Sequence, residues 1–509
     1  MIHCYKFKGN NIVLDINSGA VHVVSDLVYR ILSPHSDKAD MGDGRPCASG
    51  VGPETAGGRP GASDAGPETA GGRSGASGAD PETAGGRPGA SGALTAPLPL
   101  PQGLSGRYPA HEIDEALSEI AGLIDAGMLF SDDSQVSHDM LEGRGAVIKA
   151  LCLHAAHDCN MSCAYCFADE GAFTGEKSLL PAETGRMAID FLLEQSGDRR
   201  NLEIDFFGGE PLMNFEVIKA LVAYGREREK LFGKNIRFTI TTNGLLLGPE
   251  KEAFINEHMD NVILSIDGRP EINDAMRKTR GGSGTYSLII DNLLRFGQNR
   301  GGRFYARGTF TRHNLDFSRD VKHLAELGFR NVSIEPVVAP GAMDFAIGDG
   351  DLPRIFDEYD KLAELYIEYA RRGEQFAFFH FNMDLSGGPC VIKRVCGCGA
   401  GTEYVAISPE GDIYPCHQFV GEEGYRLGNL HELAAQGGFS NPLYGFFNHA
   451  HIYSKGECAA CWAKFYCSGG CHANALHMNG DILKPYGVGC ALERKRVECA
   501  IGIQAELAG

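Results

Sequence analysis

Three cysteines in the run HDCNMSCAYCF, Cys159, Cys163 and Cys166, stand in a Cys-x3-Cys-x2-Cys arrangement. Three thiolates this close can hold three irons of a cubane and leave the fourth iron open to an outside ligand. Zinc completed by a distant fourth protein ligand is the other chemistry the spacing allows. A second constellation is Phe207-Gly208-Gly209-Glu210-Pro211. Its two glycines permit backbone to approach a ligand closely, and Glu210 can accept a hydrogen bond from an ammonium group. Taken alone it is equally an ordinary turn between a strand and a helix. A third set lies near the C-terminus: Cys398 and Cys416, then Cys458-x2-Cys461-x5-Cys467-x3-Cys471, then Cys490. Iron–sulfur ligation and a zinc-ribbon-like module both fit it. His157, His417 and His472 neighbour these cysteines, and most such histidines are structural rather than ligating.

These residues need a scaffold. Six apolar strand patterns at 149–154, 202–207, 236–241, 262–266, 304–310 and 332–337 alternate with helical patterns. That order predicts an α/β fold built on a parallel sheet, open or curled into a partial barrel, spanning 145–345. Ligands of such sheets gather at the carboxyl ends of the strands. There the sequence places Thr241-Thr242-Asn243-Gly244, Ser265-Ile266-Asp267-Gly268, Arg307 and Glu335. A helical bridge follows over 346–389. The Cys-rich segment 390–509 begins with a hairpin expected at 402–415, turning at Pro409-Glu410-Gly411.

Upstream, strands at 11–16 and 20–24 flank Asn17-Ser18-Gly19, a hairpin signal. Asp26 is expected to cap a helix, and Ile113, Leu117, Ile120 and Ile124 mark one face of a second. Gly127 should end that helix, with Met128-Leu129-Phe130 returning as a strand. This predicts a small winged-helix-like domain over 1–135, interrupted by residues 36–107. The interruption has no Phe, Tyr, Trp or Ile, and repeats Pro-Glu-Thr-Ala-Gly-Gly-Arg from 53, 67 and 81. With almost nothing apolar to stack, it reads as a disordered insertion rather than a solenoid.

Lys and Arg number 47 against 66 Asp and Glu, a net charge of −19. That balance argues against nucleic acid or an anionic membrane as the main partner. No apolar run reaches the roughly 18 residues of a membrane span, and MIHCYKFKGN lacks a signal-peptide pattern. A cytoplasmic setting is expected, with the 16 cysteines present as thiols or metal ligands rather than disulfides. Cys4, Cys47, Cys152, Cys396 and Cys499 are expected to be free thiols. No Ser–His–Asp set and no phosphate-cradling loop stands out.

The triplet, the aromatic Tyr165 before its last Cys, and Gly208-Gly209-Glu210 resemble the radical S-adenosylmethionine superfamily over about 150–340. The resemblance implies a partial (β/α)6 barrel whose 4Fe–4S cluster at Cys159, Cys163 and Cys166 binds S-adenosylmethionine through its open iron. Reductive cleavage then yields methionine and a 5′-deoxyadenosyl radical. It further implies cofactor contacts at Tyr165, Gly208, Gly209, Glu210, Ser265 and Arg307. The C-terminal cysteines are similar to the SPASM extension, which implies two auxiliary 4Fe–4S clusters, three clusters in all. One would be held by Cys458, Cys461, Cys467 and Cys490. The other would use Cys398, Cys416 and Cys471, with Cys390 as first choice for its fourth ligand. Trp462 would shield these thiols from water.

The stretches KFKGNNIVLDINSGAVHVVSD and GCGAGTEYVAISPEGDIYPCHQFVG, with the domain order, resemble the thioether-forming maturases of short six-cysteine peptides. That resemblance implies a ribosomal Cys-rich precursor peptide as partner, held through its leader by the N-terminal domain, and an electron donor such as flavodoxin or ferredoxin. Formylglycine formation on a sulfatase, peptide epimerisation, and a non-enzymatic iron–sulfur electron carrier or scaffold are the competing functions. No side chain is identified as the base that takes the thiol proton.

Overall fold

The computed structural model describes residues 1–36, 98–133, 141, 145–173, 175–383, 385, 391–433 and 435–508. Most of the expected insertion, and Cys47 and Cys390, lie outside the described residues.

The N-terminus forms an antiparallel sheet of β1 (Ile2–Phe7), β2 (Asn10–Asp15) and β3 (Val21–Val24), in that order. Strand β1 is not among the strands expected from the sequence. The turn from β2 to β3 closes as expected, with Gly19 at φ +74° and Ser18 N–H donating to Asp15 Oδ1 (2.9 Å). The following helix, Asp26–Leu32, is capped by Ser25 rather than Asp26. The Ser25 hydroxyl accepts from Val28 N–H, and Asp26 pairs with Arg30 one turn on. The second helix, Ala110–Asp125, ends before Gly127. Met128-Leu129-Phe130 turns there without forming a strand. The tail of the stretch assigned to the insertion is folded: Leu104 is buried with Ile113, Ile120 and Leu129.

Both faces of this sheet are apolar, and the period of two divides them. Val13 and Ile2 face the two helices, whereas Tyr5, Phe7, Ile12 and Leu14 belong to the main core of the molecule. Phe7 fills the space beside Gly502 on the C-terminal helix Gly487–Ala508, where any Cβ would overlap its ring. A sheet buried on both sides is part of the main body of the fold rather than an appended module.

The six expected strands all form. After β4 (Ala150–His157) the chain makes β5 (Met161–Cys163) and β6 (Ser178–Leu179), then β7 (Asn201–Gly208), β8 (Asn235–Thr242) and β9 (Asn261–Ser265). It continues through β10 (Arg277–Thr279), β11 (Arg303–Phe310), β12 (Asn331–Pro336) and β13 (Ala377–Phe378). Strands β4, β7, β8, β9, β11, β12 and β13 lie side by side in that order, all parallel. Such consecutive order belongs to a curled, unclosed barrel, because a doubly wound sheet reverses direction.

Alternation along each strand sets the two faces. Ile204, Phe206, Phe238, Ile240, Val262 and Leu264 are fully buried in the apolar core, which is covered by helices such as Phe215–Phe232 and Tyr286–Asn299. Asp205, Thr239, Thr241, Asn261 and Ser265, from the alternate positions, line a cavity on the other face.

The Cys-rich segment joins the same sheet. Strand β14 (Tyr404–Ile407) pairs in parallel with β4, and β15 (Asp412–Tyr414) and β16 (Gly428–Asn429) extend it. Gly411, φ +86°, makes the expected hairpin turn. The edge of the partial barrel is thus covered by the C-terminal domain, as an exposed edge must be.

Candidate functional site

Strand β4 delivers its carboxyl end into the Cys159–Cys166 loop. The loop is held by β5, which pairs antiparallel with β10 so that Cys163 faces Arg277 in register. At its start, Cys159 N–H donates to Asp158 Oδ1 (2.9 Å), and that carboxylate is also gripped by Arg280 and Lys177. All three thiols are half-buried and line one wall of a cavity of about 890 Å³. Burial pushes Cys159 up to about 12 and raises Cys163, with Arg277 opposing the latter. Burial thus favours the protonated thiols of Cys159 and Cys163, and a thiolate-binding metal group would displace those protons when it binds.

Donors already point at the sulfur: Met161 N–H lies 3.4 Å and Asn243 Nδ2 3.7 Å from Cys159 Sγ. Among the described residues, no three His, Cys, Asp or Glu side chains close on a point that suits a single metal ion. Three thiols spread around a cavity, with N–H groups aimed at sulfur, fit a multi-iron cluster.

Gly208 and Gly209 line this cavity, but their smallness serves the chain itself. A Cβ on Gly208 would overlap the Ala156 carbonyl, and one on Gly209 the Asp158 carbonyl. The β7 turn is thereby pressed onto the start of the cysteine loop, with Gly209 N–H donating to Ala156 O (2.8 Å) and Glu210 N–H to Asp158 O (2.9 Å). The Glu210 carboxylate is fully buried, and accepts from Leu212 N–H (3.0 Å), Thr242 Oγ1 (2.8 Å) and Asn243 N–H (2.8 Å). Burial raises its pKa against these three donors. Glu210 ties the ends of β7 and β8 together rather than lining the cavity.

Tyr165 lines the cavity, and its hydroxyl is committed to the protein. It donates to Asp267 at 2.7–2.9 Å and accepts from Arg277 Nη1 (3.1 Å). Burial lifts Asp267 up to about 6, opposed by Arg277, the Tyr165 hydroxyl and Thr309 N–H. Tyr165, Asp267 and Arg277 form a clamp between the cysteine loop and the ends of β9 and β11. Arg277 is the member that sequence reasoning missed, because its only marker is pairing with β5, a strand too short to read from pattern.

Ser265 and Arg307 are register partners on β9 and β11, and both line the cavity. Asp205 shares the wall. Its Oδ1 is buried with no hydrogen-bond partner among the described residues, and burial pushes its carboxyl up to about 7. Deeper in the molecule, Glu335 Oε2 bonds His380 Nε2 (2.9 Å) beside Arg496 (3.7 Å). Against burial, the His380 hydrogen bond and the Arg496 and Arg307 guanidinium groups hold Glu335 well below its ordinary value. His157 turns away from the thiols: its Nε2 pairs with His154 Nδ1 (2.9 Å), and it stacks on Phe173.

Cys467, Cys471 and Cys490 line the same cavity. The C-terminal thiols fall into two groups in space. Cys467 is in electrostatic reach of Cys490, Cys458 and Cys461, whereas Cys416 faces Cys398 and Cys471. His417 also lines the cavity, with its Nδ1 at Tyr404 OH (3.2 Å). Burial beside Arg307 lowers it to about 4. His472 is tied to Ala450 O (3.0 Å). Trp462 is fully buried between Cys461 and Cys467, but it stacks on His3 of β1. It joins two parts of the chain rather than only covering thiols.

Residues 141–289 match the family of 4Fe-4S single cluster domains, and 396–462 match the SPASM iron-sulfur cluster-binding domain. The radical SAM cyclopropyl synthase TigE of Paramaledivibacter caminithermalis is 25% identical over 364 residues, 67% of this chain and 70% of that protein. Over these segments the chain is similar to radical S-adenosylmethionine proteins that carry a SPASM domain. The radical SAM fold is shared with solved structures. Native anSMEcpe with bound AdoMet and Cp18Cys peptide aligns at TM-score 0.59 and 20% identity, covering 71% of this chain and 99% of that one. Streptococcus suis SuiB bound to precursor peptide SuiA aligns at TM-score 0.50 and 18% identity, covering 74% and 88%. Among the described residues no helix is long and apolar enough to cross a membrane.

Proposed function

We propose that this protein is a radical SAM enzyme that forms thioether links from a Cys sulfur to a carbon of another residue in a ribosomally made, Cys-rich precursor peptide. One observation carries the reading: Cys159, Cys163 and Cys166 share the lining of a single cavity with Cys467, Cys471 and Cys490 of the Cys-rich segment. When bound, S-adenosylmethionine and the iron–sulfur clusters would supply one-electron chemistry at the first set and an electron acceptor at the second.

The chain's own residues hold and orient. Cys159, Cys163 and Cys166 hold the cluster that binds the cofactor. The clamp of Tyr165, Asp267 and Arg277 fixes their loop, and Gly208 and Gly209 let the β7 turn back it. Ser265 and Arg307 offer a hydroxyl and a guanidinium to the cofactor's polar groups. Cys458, Cys461, Cys467 and Cys490 hold one auxiliary cluster, and Cys398, Cys416 and Cys471 three corners of another. Thus 145–345 serves as radical barrel, 346–389 as bridge and 390–509 as auxiliary-cluster domain.

Residues 1–135 serve as the leader-binding unit. Strand β3 is an edge strand whose Val21 and Val23 line an open groove of about 610 Å³ shared with Leu385, Ile501 and Gln504. An extended leader adds to such an edge through main-chain bonds and seats apolar side chains in the groove. A flavodoxin or ferredoxin is the proposed electron donor, and the cytoplasm the proposed location.

The test is mass spectrometry of a short Cys-rich precursor peptide after anaerobic incubation with enzyme, S-adenosylmethionine and reductant. The expected product is lighter by two hydrogens per link, with one Cys per link resistant to alkylation after thiol reduction. Simultaneous Cys159→Ala, Cys163→Ala and Cys166→Ala should abolish both the product and cofactor cleavage. An unchanged mass points to epimerisation, and an aldehyde to formylglycine chemistry. Retained cofactor cleavage in the triple variant overturns the site.

A further inference from the structure

Lys455 is 1% exposed, although lysine is almost never fully buried without a charged partner. Its ammonium makes one hydrogen bond among the described residues, to Gly469 O at 2.8 Å. The helix Gly456–Ala459 starts immediately after it, so the Lys455 carbonyl accepts from Cys458 N–H (2.9 Å). Gly469 lies between Cys467 and Cys471 in the chain. Lys455 therefore pins the segment that carries one thiol of each C-terminal group. Its four strongest charged neighbours are all cysteines: Cys458, Cys467, Cys490 and Cys471.

The contrast with Lys464, nine residues on, is informative. Lys464 is equally buried, but its ammonium meets the Asp133 carboxylate at 2.7 Å and lies over the rings of Tyr453 and Phe465. Among the described residues no carboxylate pairs with Lys455. A buried ammonium with two unused N–H groups is costly, and neutral thiols do not offset it. Thiolates do. Among the described residues, the groups whose negative charge would oppose the effect of burial on Lys455 are these cysteines, which include ligands of the proposed cluster.

We infer that Lys455 is the built-in counter-charge of the auxiliary cluster proposed at Cys458, Cys461, Cys467 and Cys490, and that it raises that cluster's reduction potential. Net charge and hydrogen bonding around the sulfurs set such potentials. Reduction adds one negative charge, and a fixed cation at close range in a buried site favours the reduced form. Lys455 is thus a positioning residue that makes this cluster a better acceptor of the electron leaving the peptide.

The inference rests on the proposed cluster at those four cysteines, so the test measures that first. Anaerobically loaded full-length protein is assayed for iron and titrated electrochemically while its clusters are followed by electron paramagnetic resonance. In wild type, iron beyond that of the Cys159 cluster is required, and its absence overturns the cluster reading and this inference with it. In Lys455→Met, iron should be retained and one auxiliary midpoint should fall at least tenfold in equilibrium constant, about 59 mV for one electron. The midpoint of the Cys159 cluster should stay in place. Lys455→Arg, which keeps the charge, should stay close to wild type.

An unchanged auxiliary midpoint in iron-replete Lys455→Met overturns the inference. So does loss of iron from both variants, which marks a packing role. Loss of iron from Lys455→Met alone, with Lys455→Arg loaded at the wild-type potential, supports the charge.

Discussion

His3 and Trp462 stack face to face, with ring centroids 3.8 Å apart and planes 2° from parallel. The third residue of the chain thus lies against the tryptophan between Cys461 and Cys467. The His3 Nε2 also meets Glu498 Oε1 at 2.9 Å, and Tyr5 OH donates to the Glu498 carbonyl (3.0 Å). The unit proposed to hold the leader is therefore packed onto the segment proposed to hold a cluster.

Replacing His3 should consequently be felt far from the N-terminus. His3→Ala removes the stack and a buried hydrogen bond, and roughly 2–3 kcal/mol of stability should go with them. His3→Phe, which keeps the stack, should lose about half as much. Denaturant unfolding of the loaded protein measures both. Equal losses in the two variants would remove the stack from the account. Deleting the whole N-terminal unit would be a poor test of leader binding, since it uncovers Trp462 and the surface beneath Phe7.

Gly209→Ala should dislodge the cysteine loop. The added methyl group meets the backbone carbonyl of Asp158, which cannot rotate away as a side chain would. The expected outcome is loss of the Cys159 cluster's iron and of cofactor cleavage, with a folding cost of about 1–3 kcal/mol. Gly122→Ala is the comparator: that glycine lies within a helix with nothing within 4 Å of an added Cβ. It should be neutral or stabilising by up to about 1 kcal/mol. Full iron content in Gly209→Ala would show that the loop tolerates the contact.

Val23→Glu tests the leader groove. Val23 is 55% exposed on the edge strand, so a substitution there should change stability by less than about 0.5 kcal/mol. Leader-peptide affinity, read by calorimetry, should fall at least tenfold, whereas cofactor cleavage without peptide should not change. Unaltered affinity would move the leader site elsewhere.

Asp205 should leave a mark on the pH dependence of stability. Burial lifts its carboxyl up to about 7, against roughly 3.9 in an unfolded chain. A carboxyl raised on folding contributes in full below pH about 4, and that contribution is lost as pH rises through about 7. Wild type should therefore lose stability over that interval for this reason, and Asp205→Asn should lose less. Thermal unfolding at pH 5 and pH 8 gives the comparison. Identical slopes would mean that Asp205 is ionised in the folded protein throughout.

The cysteine triplet and the six strands were legible because they are local. Cys159, Cys163 and Cys166 stand seven residues apart end to end, so their spacing alone brings three thiols to one loop. Alternation such as Ile236, Phe238 and Ile240 against Thr239 and Thr241 separates the core face of a strand from its cavity face without knowledge of any other strand. The six-strand order follows from helices placed between parallel neighbours. Hairpin turns at Gly19 and Gly411 were legible for the same reason: each is a property of a few consecutive residues.

What tertiary structure alone decided is where a side chain's polar atoms are satisfied once distant segments meet. Glu210 carries the right chemistry for a ligand's ammonium, yet the approach of β7 to β8 supplies it with three donors from the chain. Tyr165 and Asp267 are joined across 102 positions, and Arg277 enters their clamp only because β10 happens to pair with β5. Strand β14 reads as half of an isolated hairpin, but the open edge of β4 recruits it into the barrel sheet. His3 and Trp462 lie at opposite ends of the sequence, and nothing in either neighbourhood encodes the other. Spacing and periodicity report what a segment can form by itself. Which buried atom finds which partner is settled by the packing of surfaces that are apolar in the same way, and a pattern of apolar residues does not distinguish one such surface from another.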